Sequence, residues 1–123
     1  VNSKRFAILA LGLMALMALS ACGTGGGGGP APLAVTITAK DISYDTTAIT
    51  AKVGQAVTVT LNNTGALDHS FVIDELGVKL ENVKAGTTGT VTFTPQTAGT
   101  YTFYCSVPGH KQAGMVGTLT VTQ

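Results

Sequence analysis

The sequence has no tryptophan, two cysteines, two histidines and a single arginine, Arg5, and only 11% of its 123 residues are charged. Each shortage excludes something. After Cys22 there are five lysines, no arginine and six acidic residues, a balance of −1. A domain of that kind lacks both the guanidinium forks that grip phosphates and the basic surface of a nucleic-acid binder. His69 and His110 are too few to serve a metal centre and a Ser/His/Asp triad together. Asp68 beside His69 is not half of a triad, because neighbours on a strand point to opposite faces. No segment repeats its apolar residues with the period of an amphipathic helix. The glycine run at 25–29 is not followed by the Lys-Ser/Thr of a phosphate loop.

The hydrophobic excess is concentrated at the N-terminus. Lys4 and Arg5 precede an uncharged apolar run from Phe6 to Leu19, followed by Leu19-Ser20-Ala21-Cys22. The run is short for a helix that must cross the hydrocarbon core and has the order of an export signal. The four residues resemble the bacterial lipobox. That resemblance implies a signal peptide over 1–21 and lipidation of Cys22. The alternatives at this point are an uncleaved membrane anchor and a Cys22–Cys105 disulfide. Residues 22–33, rich in Gly and Pro, read as a flexible tether with a root-mean-square reach of roughly 16–19 Å for about ten residues.

Residues 34–123 read as one domain. Val35-Thr36-Ile37-Thr38-Ala39, Val57-Thr58-Val59-Thr60-Leu61, Val91-Thr92-Phe93-Thr94 and Leu119-Thr120-Val121-Thr122 alternate apolar and polar residues. This is the mark of strands with one buried face, and threonine on the other face suits them. Turn residues separate the runs, as in Asn62-Asn63-Thr64-Gly65 and Pro95 to Gly99. The expected fold is all-β, an antiparallel β-sandwich of seven or eight strands, with the strands near 48–51 and 76–83 the least marked.

Followed along these strands, the alternation reaches four unusual residues. His69 shares a face with Phe71 and Ile73, Cys105 with Tyr101 and Phe103, and Met115 with Leu119 and Val121. His110 lies in the loop between Cys105 and Met115. Singly, each has a plain explanation as a core histidine, an inert buried thiol or a core methionine. Together, two imidazoles, a thiolate and a thioether form the donor set of a trigonal copper site with a weak axial sulfur, and tetrahedral zinc rarely recruits methionine.

His69 upstream, then Cys-x4-His-x4-Met with Pro108-Gly109 before the histidine and Gly114 before the methionine, resembles the cupredoxins, nearest to the auracyanin and plastocyanin-like group. The resemblance implies a Greek-key sandwich holding one copper ion (Cu+/Cu2+) at one end through His69, Cys105, His110 and Met115. Many members carry Asn after the first histidine, whereas this chain has Ser70. Ser70 and Ser106 are therefore the expected supports of the ligands.

With both histidines spent on one centre, the expected role is one-electron transfer without catalysis. The electron is expected to pass through His110, across an uncharged docking patch of Ala66, Leu67, Pro108, Gly109 and Ala113. The partners implied by the resemblance are a cytochrome, a photosynthetic reaction centre or a terminal oxidase. The protein is expected to be a monomer, exported and lipid-anchored at a bacterial membrane. Two other readings remain open: copper storage or delivery, disfavoured because Met115 is the sole methionine after Cys22, and a metal-free immunoglobulin-like binding domain.

Overall fold

Wherever the alternation is strict, a strand forms. The computed structural model describes residues 27–123, so the expected signal peptide and Cys22 lie outside the described residues. The strands are β1 (Leu33–Lys40), β2 (Ser43–Tyr44), β3 (Ala48–Lys52), β4 (Val57–Asn63), β5 (His69–Ile73), β6 (Val78–Val83), β7 (Thr88–Phe93), β8 (Gly99–Tyr104) and β9 (Val116–Thr122). Helical structure among the described residues is one 3-10 turn, Asp74–Leu76. The two least-marked segments do form strands, β3 and β6, though Leu76 and Gly77 belong to the 3-10 turn and its cap. The ninth strand, β2, is two residues long, too short to show a period.

The strands form two sheets, ordered β2-β1-β4-β7 and β3-β9-β8-β5-β6. Their inner faces meet through Ile37, Val57, Val59, Leu61, Phe71, Ile73, Phe103 and Leu119, all fully buried. Burying one such side chain contributes roughly 1.5–3 kcal/mol. The sandwich is the one expected, but its pairing is mixed, not purely antiparallel. β1 runs parallel to β4, and β3 runs parallel to β9. The chain leaves β1, makes β2, crosses to the second sheet as β3 and returns as β4. No hairpin joins the parallel neighbours, so nothing forces them antiparallel.

β5 departs from alternation, since all five of its residues are buried. Val72 is flanked by Lys79 and Tyr104 on the adjoining strands, and Ser70 is covered by the segment after β8. The register of β5 with β6 slips between His69 and Phe71.

The parallel β1–β4 pair also gives the domain a direction. Leu33 lies beside Val57 and Ala39 beside Asn63. The chain therefore enters at the pole opposite the β4–β5 loop that leads to His69. Leu33 N–H donates to the Ala56 carbonyl at 2.8 Å and Gln55 Nε2 to the Ala31 carbonyl at 2.6 Å, holding the entry point against the sheet.

Candidate metal centre

Three strand ends meet at one pole. His69 is the first residue of β5, Cys105 follows the last residue of β8, and Met115 precedes the first residue of β9. Residues 105–115 form a loop stitched by its own backbone. Cys105 N–H donates to the Met115 carbonyl at 3.1 Å, Met115 N–H to the His110 carbonyl at 3.0 Å, and His110 N–H to the Val107 carbonyl at 3.0 Å. Gly109 (φ 86°) and Gly114 (φ 99°) supply the left-handed turns before His110 and before Met115.

The side chains converge. The Nδ1 atoms of His110 and His69 lie 3.4 and 3.9 Å from Cys105 Sγ. The three donor atoms all lie within 4.8 Å of one another. Donors about 2.0–2.3 Å from a shared ion, at angles between tetrahedral and trigonal, stand roughly 3.5–3.8 Å apart. The observed spacings straddle that range, so the pocket of donors fits one transition-metal ion. His69, Cys105 and Met115 are fully buried and His110 is 5% exposed.

The electrostatics favour neutral imidazole at His69. Burial pushes its pKa below the ordinary value, the neighbouring His110 pushes it the same way, and Asp68 and Asp41 oppose them. With Nδ1 turned to the thiol, His69 Nε2 is left buried without a hydrogen-bond partner. The two imidazole rings lie 5.1 Å apart at 50°.

Ser70 and Ser106 lie beside the sulfur. Ser70 Oγ accepts the Ser106 N–H at 2.7 Å, pairs with Ser106 Oγ at 2.9 Å and stands 3.6 Å from Cys105 Sγ. Two further residues, not singled out from the sequence, complete this region. Tyr44, from the short β2, donates its hydroxyl to the Ser70 carbonyl and packs on Phe103 at a ring distance of 5.7 Å. Asn63, the last residue of β4, is buried with both sides of its amide engaged. Its signal was present in Asn62-Asn63-Thr64-Gly65, which reads as a turn and conceals that the second asparagine points inward.

Ala66, Leu67, Pro108, Gly109 and Ala113 are all exposed on the two loops at this pole, with Leu67 at 46%. Tyr104, next to Cys105, faces outward. Its hydroxyl donates to Asp74 Oδ2 at 2.8 Å, and Lys111 Nζ lies 3.8 Å above its ring.

A family model for a cupredoxin-like domain matches residues 7–121. Auracyanin-B of Chloroflexus aurantiacus is 55% identical over 40 residues, 32% of this chain and 17% of that protein. The copper-resistant cuproprotein CopI of Rubrivivax gelatinosus is 29% identical over 97 residues, 63% of this chain and 59% of that protein. The chain thus spans less than two thirds of the length of either curated relative. Among solved structures, reduced auracyanin from Roseiflexus castenholzii superposes with a TM-score of 0.69 at 28% identity, covering 76% of this chain and 99% of that one.

Proposed function

The chain belongs to the cupredoxin-like domain family, and from that premise we propose that it binds one copper ion through His69, Cys105, His110 and Met115 and carries single electrons between redox partners at a bacterial membrane. The observation that carries this reading is the convergence of two imidazole nitrogens and one thiol sulfur within 4.8 Å, under a loop that ties Met115 to Cys105 by its backbone. Bound copper supplies a one-electron couple. The protein's residues do the rest. Two imidazoles and a thiolate suit both oxidation states, and Met115 offers the weak fourth donor. The β framework and the stitched loop fix the donors, so little moves when the charge changes.

Ser70 and Ser106 tie the β5 end to the Cys105 loop and bring a hydroxyl to the sulfur. His110 is the one histidine of the pair with exposed surface. It is the exit for the electron, through the uncharged patch of Ala66, Leu67, Pro108, Gly109 and Ala113. An exposed, uncharged patch of this kind suits brief encounters, which bury less than ~1,200 Å². Cytochromes, a photosynthetic reaction centre or a terminal oxidase are the partner classes in this reading. Cys22 is the lipidated residue, and the tether confines the domain near membrane-held partners, raising their effective concentration. With both histidines in one centre, the protein acts as a carrier and not as an enzyme.

Visible and electron spin resonance spectra of the copper-loaded protein test the centre. An intense blue thiolate charge-transfer band is expected, and it should vanish in Cys105→Ser. A pale ordinary cupric spectrum, or colour that survives Cys105→Ser, overturns the reading. The likeness to CopI supports a second role, copper handling. Rapid loss of copper to a competing chelator favours that role, and slow loss favours the carrier.

A further inference from the structure

From the hydrogen bonds at the end of β4, we infer that Asn63 is the positioning residue for His69: one buried amide that locks the first imidazole in place before any metal arrives. This rests on the copper reading above for its Cu(I)-binding and spectroscopic consequences, and not for the ring order of metal-free protein. Asn63 Nδ2 donates to the Leu67 carbonyl at 2.7 Å and to the Val83 carbonyl at 2.9 Å, while Oδ1 accepts Gly65 N–H at 3.0 Å. Its backbone adds two more bonds, donating to Thr87 and accepting from Gly86, both at 2.9 Å.

The partners identify the role. Leu67 lies two residues before His69. Val83 is the residue paired with His69 across β5 and β6. The amide therefore grips the chain both leading into His69 and opposite it. Asn63 belongs to one sheet and Val83 to the other, so this bond also joins the two sheets at the metal pole. The ladder slips just beyond His69, so regular pairing alone does not fix that residue. The nearby Lys84–Asp68 ion pair, at 2.6 Å, spans the same loops, but its side chains are 66% and 41% exposed. Exposed pairs contribute little, whereas a buried carbonyl deprived of its donor is costly. The amide can sit only one way round, because a flip would set its oxygen against two carbonyl oxygens.

Asn63→Leu keeps the branched shape, though with bulkier methyl groups, and removes all three side-chain bonds, and Asn63→Asp keeps the acceptor for Gly65 while losing both donors. Val59→Ala, on the same strand and fully buried, is the control that lowers stability away from the pole. Three measurements are made at matched stability: the ring NMR signals of His69 in metal-free protein, Cu(I) affinity against a chelator, and the visible spectrum. Both Asn63 variants should broaden or multiply the His69 ring signals, weaken Cu(I) binding about tenfold, about 1.4 kcal/mol, and shift the thiolate band. Val59→Ala should do none of these. Sharp wild-type His69 signals in the Asn63 variants overturn the inference, as do equal effects from Val59→Ala. If Asn63→Leu does not fold, Asn63→Ser, whose short hydroxyl cannot span both carbonyls, takes its place in the same comparison. Failure of the copper reading looks different: wild type itself then lacks the blue band.

Discussion

Replacing Ser70 with alanine should lower the reduction potential of the copper centre by about 40 mV. Ser70 has one hydroxyl hydrogen and two candidate acceptors, Ser106 Oγ at 2.9 Å and Cys105 Sγ at 3.6 Å. Its own oxygen already accepts Ser106 N–H at 2.7 Å. If Ser106 donates its hydroxyl to Ser70, the Ser70 hydrogen is free for the sulfur. The sulfur carries more negative charge with Cu(I) than with Cu(II), which draws density from the thiolate. A donor at the sulfur therefore stabilises the reduced state more. A hydrogen bond to a charged acceptor is worth ~1.5–3 kcal/mol. The long contact to sulfur, and the fact that only the difference between redox states counts, leave about 1 kcal/mol. At 59 mV per tenfold for one electron, that is about 40 mV. Ser106 is exposed, so water can replace the lost acceptor of its N–H and the fold should survive. Spectroelectrochemical titration of wild type, Ser70→Ala and Ser106→Ala measures the effect. Ser106→Ala leaves the Ser70 hydrogen no rival acceptor and should hold or raise the potential. A Ser70→Ala potential that is higher, or within about 10 mV of wild type, refutes the argument.

Other outcomes follow from the packing and the loops. A Cβ on Gly117 would lie 2.1, 2.4 and 2.8 Å from three atoms of the buried Phe103 ring, which would have to retreat about 1.4 Å to an ordinary contact. Gly117→Ala should cost ~1–3 kcal/mol in denaturant unfolding, and Phe103→Leu should make the pair less than additive; strict additivity contradicts the clash. Burial, and then the charge of Cys105, push the Tyr44 pKa above its ordinary 10.0. A raised folded-state pKa stabilises the fold below about pH 10 and loses that contribution as pH climbs towards the folded value. The Tyr44 phenolate should therefore appear only with unfolding, and Tyr44→Phe should flatten the fall of stability above that pH. A charged side chain at the exposed Ala113, as in Ala113→Glu, should slow electron transfer to the physiological partner in stopped-flow mixing without altering the visible spectrum; an unchanged rate removes the docking patch from the reading.

The parts of the fold that the sequence made legible are those governed by local rules. Val57 to Leu61 and Leu119 to Thr122 alternate strictly because one face is core and the other is solvent, and the strands form there. The four candidate ligands were legible because their spacing places three of them, His69, Cys105 and Met115, at strand ends and His110 in the loop between the last two. What stayed hidden depends on long-range partners. The parallel pairing of β1 with β4 is set by where the chain crosses between sheets, not by either strand's composition. Val72 looks outward by period, yet it is buried between neighbours. Asn63 and Tyr44 act through carbonyls 20 and 26 residues away in the chain, and no local pattern announces such a bond. What Gly117 does shows only when Phe103 is seen lying across it.

The direction of β1 has a consequence for geometry at the cell surface. Ala31 is fastened beside Gln55, and eight residues of β1 run from there towards the opposite tip, a rise of roughly 23–26 Å. On the proposed reading, with lipid on Cys22, the pole of His69 and His110 is the end of the domain farther from the tethered root. A partner whose cofactor sits in a projecting head meets this tip upright. One whose cofactor lies level with the headgroups obliges the domain to topple sideways, and shortening the glycine run would then silence the second kind of partner while sparing the first.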